Sequence, residues 1–292
     1  MLKKYLEEKK SLVEKHLEDW MESGREEAPE TYEAMSYSLM AGGKRLRPIL
    51  LMAAAETQGK SGEKFLDAAC ALEMIHTYSL IHDDLPGMDD DDYRRGRLTN
   101  HKVFGVGSAI LAGDGLLTLA FEVLASQTNV SPERLIWAVK EFASSAGPIG
   151  MVQGQAMDLA AEGHKISEER MKAIHRAKTG QLFRAALRSG VWLAGGEEIA
   201  LEKITEYADA FGLAFQITDD ILDVIGTAEE MGKQPGNDAE HEKATYVSLY
   251  GLEAAEKMAT EQVEIALNAA TYFGDSGKIL AEIVQSLVAR RQ

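Results

Sequence analysis

The chain has 292 residues, 47 acidic against 31 basic, a formal net charge of −16, and 45% apolar residues, enough for a sizeable core. The acidic balance argues against a nucleic-acid binder, which presents a basic footprint, and against attachment to anionic lipid through basic patches. One cysteine, Cys70, argues against a disulfide framework or a cysteine zinc cluster; with no apolar run approaching a membrane span and no apolar stretch after MLKKYLEEKK, the expectation is a soluble cytoplasmic protein.

Along the chain the helical period dominates. In the first segment Tyr5, Leu6, Leu12, Val13, Leu17 and Trp20 fall on one stripe, with Lys and Glu elsewhere. Breaks follow at Gly42-Gly43, at Gly59 to Gly62, at Ser131-Pro132, at Gly195-Gly196 and at Gly274 to Gly277. Ser131 and Ser167 read as helix N-caps. Only six prolines occur, none between Pro148 and Pro235, and period-two alternation of β-branched residues is scarce. The fold class predicted is all-α: one domain over residues 1–292 with about ten helices. Gly105, Gly107, Gly113, Gly115 and Gly212 lie inside helical stretches, where close helix–helix approach is the ordinary reason for glycine.

Two acidic clusters carry the chemistry. After the apolar stretch Leu72 to Ile81 come His82, Asp83, Asp84, Leu85, Pro86, Gly87, Met88 and Asp89 to Asp92, six aspartates in ten residues. Their spacing does not fit an EF-hand loop, so a solvated acidic loop and a cation site both stay open at this point. A second cluster, Asp219, Asp220 and Asp223, is flanked by Phe215, Ile217, Ile221, Leu222 and Val224. Asp219 and Asp223, four apart, share a helical face. Carboxylates in an apolar helix call for a metal or a cationic partner, and without His or Cys the donor set suits Mg²⁺ before Zn²⁺. Basic residues stand beside these acids: Lys44, Arg45 and Arg47 in one run, Arg94, Arg95 and Arg97 in another. Internal salt bridges are one use for them. The other is a polyanion gripped jointly by Arg, Lys and Mg²⁺. No P-loop is present.

These stretches resemble the trans-isoprenyl diphosphate synthases, most of all their bacterial farnesyl-forming branch. The resemblance is carried, in order, by GGKRLRP (42–48), EMIHTYSLIHDDLPGMDDDDYRRGRLTNHKVFG (73–105), GMVQGQAMDL (150–159), KTGQLF (178–183), FQITDDILDV (215–224), and GKQPGND with Lys243, Thr245 and Tyr246 (232–246). It implies a helical bundle around a deep central cavity, a homodimer, and head-to-tail condensation of an allylic diphosphate (dimethylallyl, then geranyl) with isopentenyl diphosphate. By position it implies Asp83, Asp89 and Asp219 as principal Mg²⁺ ligands, supported by Asp84 and Asp223. Lys44, Arg47, His76 and Arg95 then grip isopentenyl diphosphate, and Arg94, Lys178 and Lys233 the allylic diphosphate. Thr179 and Gln216, with the Lys178 carbonyl, lie near the reacting carbons. Tyr78, five residues before Asp83, implies a fifteen-carbon product, together with the Pro86-Gly87 insertion.

Each residue also has a plainer reading. His76 suits an ordinary hydrogen-bonded histidine and His82 a structural one; Lys178 to Gly180 suit a helix end; Gln153 and Gln155 suit buried polar partners; Tyr78 suits a core aromatic. Residues 227–243 read as a surface loop or a lid carrying Lys233. Leu98 and Val247 stand where the family usually has proline. A geranylgeranyl-forming synthase, a class I terpene cyclase and a non-catalytic partner subunit are the competing readings.

Overall fold

The computed structural model describes residues 1–226 and 244–289; the segment 227–243, with Lys233 and the expected lid, lies outside the described residues. Helix α1 (Leu2–Ser23) buries its apolar stripe through Val13, Leu17 and Met21, and α2 (Pro29–Leu39) and α3 (Leu46–Glu56) follow. Helix α4 (Leu66–Asp83) leads into a hairpin of β1 (Tyr93–Arg94) and β2 (Arg97–Leu98), where Tyr93 pairs with Leu98. Arg95 and Gly96 make its two-residue turn, both at positive φ (54° and 74°), the geometry that matches strand twist. Next come α5 (Asn100–Phe104), α6 (Val106–Ala125), α7 (Pro132–Ala146), α8 (Met151–Leu159) and α9 (Glu168–His175). A π-turn, Arg176–Gly180, joins α9 to α10 (Gln181–Leu193), and α11 (Glu198–Ile225) runs 28 residues. Beyond residue 243 are α12 (Tyr246–Tyr250), α13 (Leu252–Thr271) and α14 (Lys278–Ala289).

The all-α expectation holds, with that hairpin the one sheet among the described residues. The glycine pairs fall between helices as read, and Ser167 caps α9 by accepting the Arg170 N–H. Ser131 sits at the N-cap of α7 without a side-chain cap bond. More helices are present than the ten or so expected, partly because Gly105 is not inside a helix. It stands at φ +86° between α5 and α6 and splits the stretch. Gly107 faces open space. Gly113, Gly115 and Gly212 do mark close approach: a Cβ on Gly113 would stand 2.1 Å from the His82 ring, and one on Gly212 3.2 Å from Gly180. Helix α6 also departs from expectation, being apolar and long enough by composition to cross a membrane, with a mean hydropathy of 1.6. It packs along α4 and carries Asp114 and Glu122, while Val106, Ile110 and Leu111 are exposed.

A buried ion pair locks the segment that leads into the site. Arg45, at φ +49° and with a fully buried side chain, donates to Glu73 of α4 at 2.8 Å and to the Leu39 carbonyl at 2.6 Å. One of the three cations of the GGKRLRP run is therefore turned inward. Of the others, Lys44 is exposed and Arg47 is half-buried at the start of α3. Removing one partner of a buried pair strands the other charge, so Glu73→Ala is expected to lower the unfolding free energy by about 3–5 kcal/mol in urea denaturation. A loss below about 1 kcal/mol would show that the segment does not depend on the pair.

Candidate active site

Helix α4 ends at Asp83, so Asp83 and Asp84 stand where its unpaired carbonyls already make the potential negative. The chain then loops back through Pro86 and Gly87 (φ +90°), and the Asp89 N–H donates to the Asp83 carbonyl at 2.8 Å. This brings the first and third aspartates together. Burial first, then Asp89 and Asp84, push the Asp83 carboxyl up to about 6, against Lys178 and Arg94. Asp84, 3% exposed, accepts from Arg94 Nε at 2.6 Å. The six acids thus divide into two sets. Asp90 stands 3.9 Å from His101, Asp91 accepts from Arg94 at 3.4 Å, and Asp92 pairs with Lys102 at 2.6 Å. They brace the hairpin.

On α11, Asp219 is exposed whereas Asp220 and Asp223 are 2% and 4% exposed. Asp220, which the sequence reading did not select, accepts from the Tyr246 N–H at 2.8 Å and from Gln216 Nε2 at 2.9 Å. Gln216 Oε1 in turn accepts the Thr179 hydroxyl at 2.9 Å. Thr179 and Lys178 occupy the π-turn, a distortion frequent at functional sites. A Cβ on Gly154 would meet the Lys178 backbone at 2.2 Å, so α8 lies directly against the turn. Lys178 Nζ donates to Asp158 at 2.7 Å. Burial works against its charge, but Asp158, Asp83 and Asp89 outweigh that and raise its pKa. Asp158 was also missed, because twenty residues of separation carry no helical signal. Gln153 is exposed, contrary to its buried-polar reading, while Gln155 is buried.

The cations complete the picture. Lys44 is exposed; Arg47 donates to His76 Nε2 at 3.3 Å and lies over the Phe183 ring at 4.4 Å. Arg95 donates to the Gly42 carbonyl. Burial pushes Arg47 down to about 10, with Arg95 adding to the shift and Glu73 and Asp219 opposing it. Arg95 is also lowered, chiefly by burial. His76 is held neutral by burial and by Arg47, Arg95, Arg94 and Arg45, as its acceptor role toward Arg47 requires. Asp219 acts on Arg47, Asp84 acts on Arg95, and Arg95 in turn acts on Arg47, so this pair of cations connects the two acidic clusters. Among the described residues no three His, Cys, Asp or Glu side chains already stand in a metal-holding arrangement. The donor set nevertheless fits a hard cation: carboxylate oxygens only, at a negative helix end, with the Asp83 carboxylate destabilised chiefly by burial.

Tyr78 is buried one and a half turns below Asp83, edge-on to His82 at 5.8 Å. His82 itself contacts the Ile110 carbonyl at 3.0 Å, a structural tie to α6. The two proline departures are absorbed locally. The Leu98 carbonyl accepts from Tyr37 at 2.8 Å, and Val247 packs against the small cluster around Tyr246.

The polyprenyl synthetase family model matches residues 28–284. The chain belongs to the polyprenyl synthetase family. It is 43% identical over 292 residues to a farnesyl diphosphate synthase of Geobacillus stearothermophilus, covering 99% of this chain and 98% of that one. It is 46% identical over 288 residues to a geranylgeranyl diphosphate synthase of Cyanophora paradoxa, covering 98% and 95%. Among solved structures it is similar to an FPP/GFPP synthase from Zymomonas mobilis, with a TM-score of 0.87, 35% identity and coverage of 98% and 99%. The chain is therefore a prenyltransferase of an all-α fold, in line with the resemblance read from its motifs.

The Asp83 shift has a measurable consequence. With its carboxyl near 6 when folded and 3.8 when unfolded, the folded, metal-free chain binds the proton more tightly between those values. That contribution to stability is present below about pH 4 and is lost as pH rises to about 6. Asp83→Asn is expected to flatten this decline in urea unfolding with a chelator present. An unaltered slope would contradict the assignment.

Proposed function

We propose that the chain condenses isopentenyl diphosphate head-to-tail with dimethylallyl and then geranyl diphosphate to give farnesyl diphosphate, in a Mg²⁺-dependent reaction. One observation carries this reading. Buried carboxylates (Asp83 and Asp84, both raised chiefly by burial) lie near buried guanidinium and imidazole groups (Arg47, Arg95 and His76, all lowered chiefly by burial), with Asp84 acting on Arg95. A diphosphate and a divalent cation supply what each half lacks.

In this reading Asp83, Asp89 and Asp219, with Asp84 and Asp223 in support, hold Mg²⁺. When bound, the metal supplies Lewis-acid stabilisation of the diphosphate leaving group. Arg94 and Lys178, with Lys233 outside the described residues, bind the allylic diphosphate and stabilise the charge that develops as its C–O bond breaks. Lys44, Arg47, His76 and Arg95 bind isopentenyl diphosphate and aim its double bond at the allylic carbon. The Thr179 hydroxyl, the Lys178 carbonyl and the Gln216 amide oxygen offer dipoles to the carbocation without attacking it. Loss of a proton to the departing diphosphate completes the step, so no side-chain base is needed. Tyr78 stops the growing tail. All 292 residues act as one domain in a soluble cytoplasmic homodimer, and nucleic acid and a stable membrane anchor play no part. The exposed apolar residues Val103, Val106, Ile110 and Leu111 on α5 and α6 support contact with a second copy.

Mass spectrometry of products from isopentenyl and dimethylallyl diphosphates tests the proposal. A fifteen-carbon diphosphate that requires Mg²⁺ is expected, with longer products from Tyr78→Ala. A twenty-carbon product from the unmodified chain would favour a geranylgeranyl synthase, in keeping with the name of the Cyanophora relative. No condensation at all would leave a partner subunit.

A further inference from the structure

Asp220 is buried and lies next to an aspartate proposed to hold metal, yet its own two oxygens are engaged elsewhere. One accepts the Tyr246 backbone N–H at 2.8 Å and the other accepts Gln216 Nε2 at 2.9 Å. The amide of Gln216 therefore turns its NH₂ toward Asp220 and its carbonyl toward Thr179, which donates to it at 2.9 Å. An amide has two distinct edges, and its orientation is decided by its neighbours. A carboxylate that accepts at both oxygens leaves Gln216 only one orientation. Thr179 then has only one use for its hydrogen.

We infer that Asp220 is a positioning residue that sets the direction of the whole hydrogen-bond chain, so that the Thr179 oxygen presents lone pairs rather than its hydrogen to the allylic carbocation. The inference rests on the condensation reading above. The chain is also polarised in the useful sense: negative charge at Asp220 draws the amide dipole into line, and the amide oxygen draws the hydroxyl hydrogen away from the reacting centre. Tyr246 matters as an anchor. Its N–H is a donor that no side-chain change can reverse, so it fixes which edge of residue 220 faces Gln216.

This anchor makes the inference testable by a swap of two atoms. In Asp220→Asn the Tyr246 N–H holds the side-chain oxygen, so the new NH₂ faces Gln216. Gln216 must flip, and its NH₂ then faces Thr179, whose hydroxyl turns its hydrogen outward. Turnover is expected to fall by about 100-fold, the scale of losing an oriented dipole at a developing charge, with KM for both diphosphates within about threefold. In the double variant Gln216→Glu, Asp220→Asn, the new NH₂ donates to the new carboxylate, which again accepts from Thr179. Turnover is expected to recover at least tenfold over Asp220→Asn. A residue that only supports the fold would not be rescued by this exchange. Circular dichroism melts establish that each variant is folded. Should Asp220→Asn fail to fold, the double variant is compared with Gln216→Glu alone, where two carboxylates meet; turnover in the double variant at least equal to that single variant supports the inference, and lower turnover overturns it. Unchanged turnover in folded Asp220→Asn, or no recovery in the double variant, overturns the inference while leaving the condensation reading intact. Absence of any isoprenoid product from the unmodified chain overturns both.

Discussion

Opposite charges held apart are the constraint on which the rest of the structure depends. Asp83 and Asp84 stand at the carbonyl end of α4, where a carboxylate is least welcome, and Arg47, Arg95 and His76 crowd together with little water to screen them. Each set is electrostatically strained by burial, and Asp84 acts on Arg95 across the two. Such strain is the expected resting condition of a site built for a metal–diphosphate complex, because that ligand carries both signs. The ion pairs Asp84–Arg94 and Lys178–Asp158 temper the strain without using up the site.

Backbone devices place these charges. The left-handed Arg45 turn presents Lys44 and Arg47 on either side of a buried ion pair, the loop through Gly87 returns Asp89 to Asp83, and the Arg95-Gly96 turn directs Arg95 toward Gly42. Opposite them, the π-turn pushes Lys178 and Thr179 out of regular helix spacing and is seated against Gly154 on α8 and Gly212 on α11. Glycine is needed at 154 because the neighbour is main chain, which cannot rotate away as a side chain can.

The helical class and most breaks were legible in the sequence, because helical periodicity and glycine pairs are local signals. The directions in which neighbouring side chains turn were not. Asp219 and Asp220 differ by one position, but on a helix one position is about 100°, so one is exposed and the other serves as an internal acceptor. Asp158 was illegible for a different reason, since its partner Lys178 is reached only through the packing of α8 on the π-turn. Arg45 and Arg47 looked alike in the sequence; the buried Glu73 separates their tasks. Gly105 read as helix interior because its flanks are helical, whereas its positive φ ends one helix and begins another. The role of Lys233 lies outside the described residues.

The central claim is that the two aspartate clusters act as one cation site for a diphosphate. Calorimetric titration of a non-reactive allylic thio-diphosphate, with and without Mg²⁺, tests it most directly. The account predicts binding that depends on Mg²⁺ and is lost in both Asp83→Asn and Asp219→Asn, one from each cluster. Equal affinity in chelator, or full Mg²⁺-dependent affinity in Asp219→Asn, would contradict it.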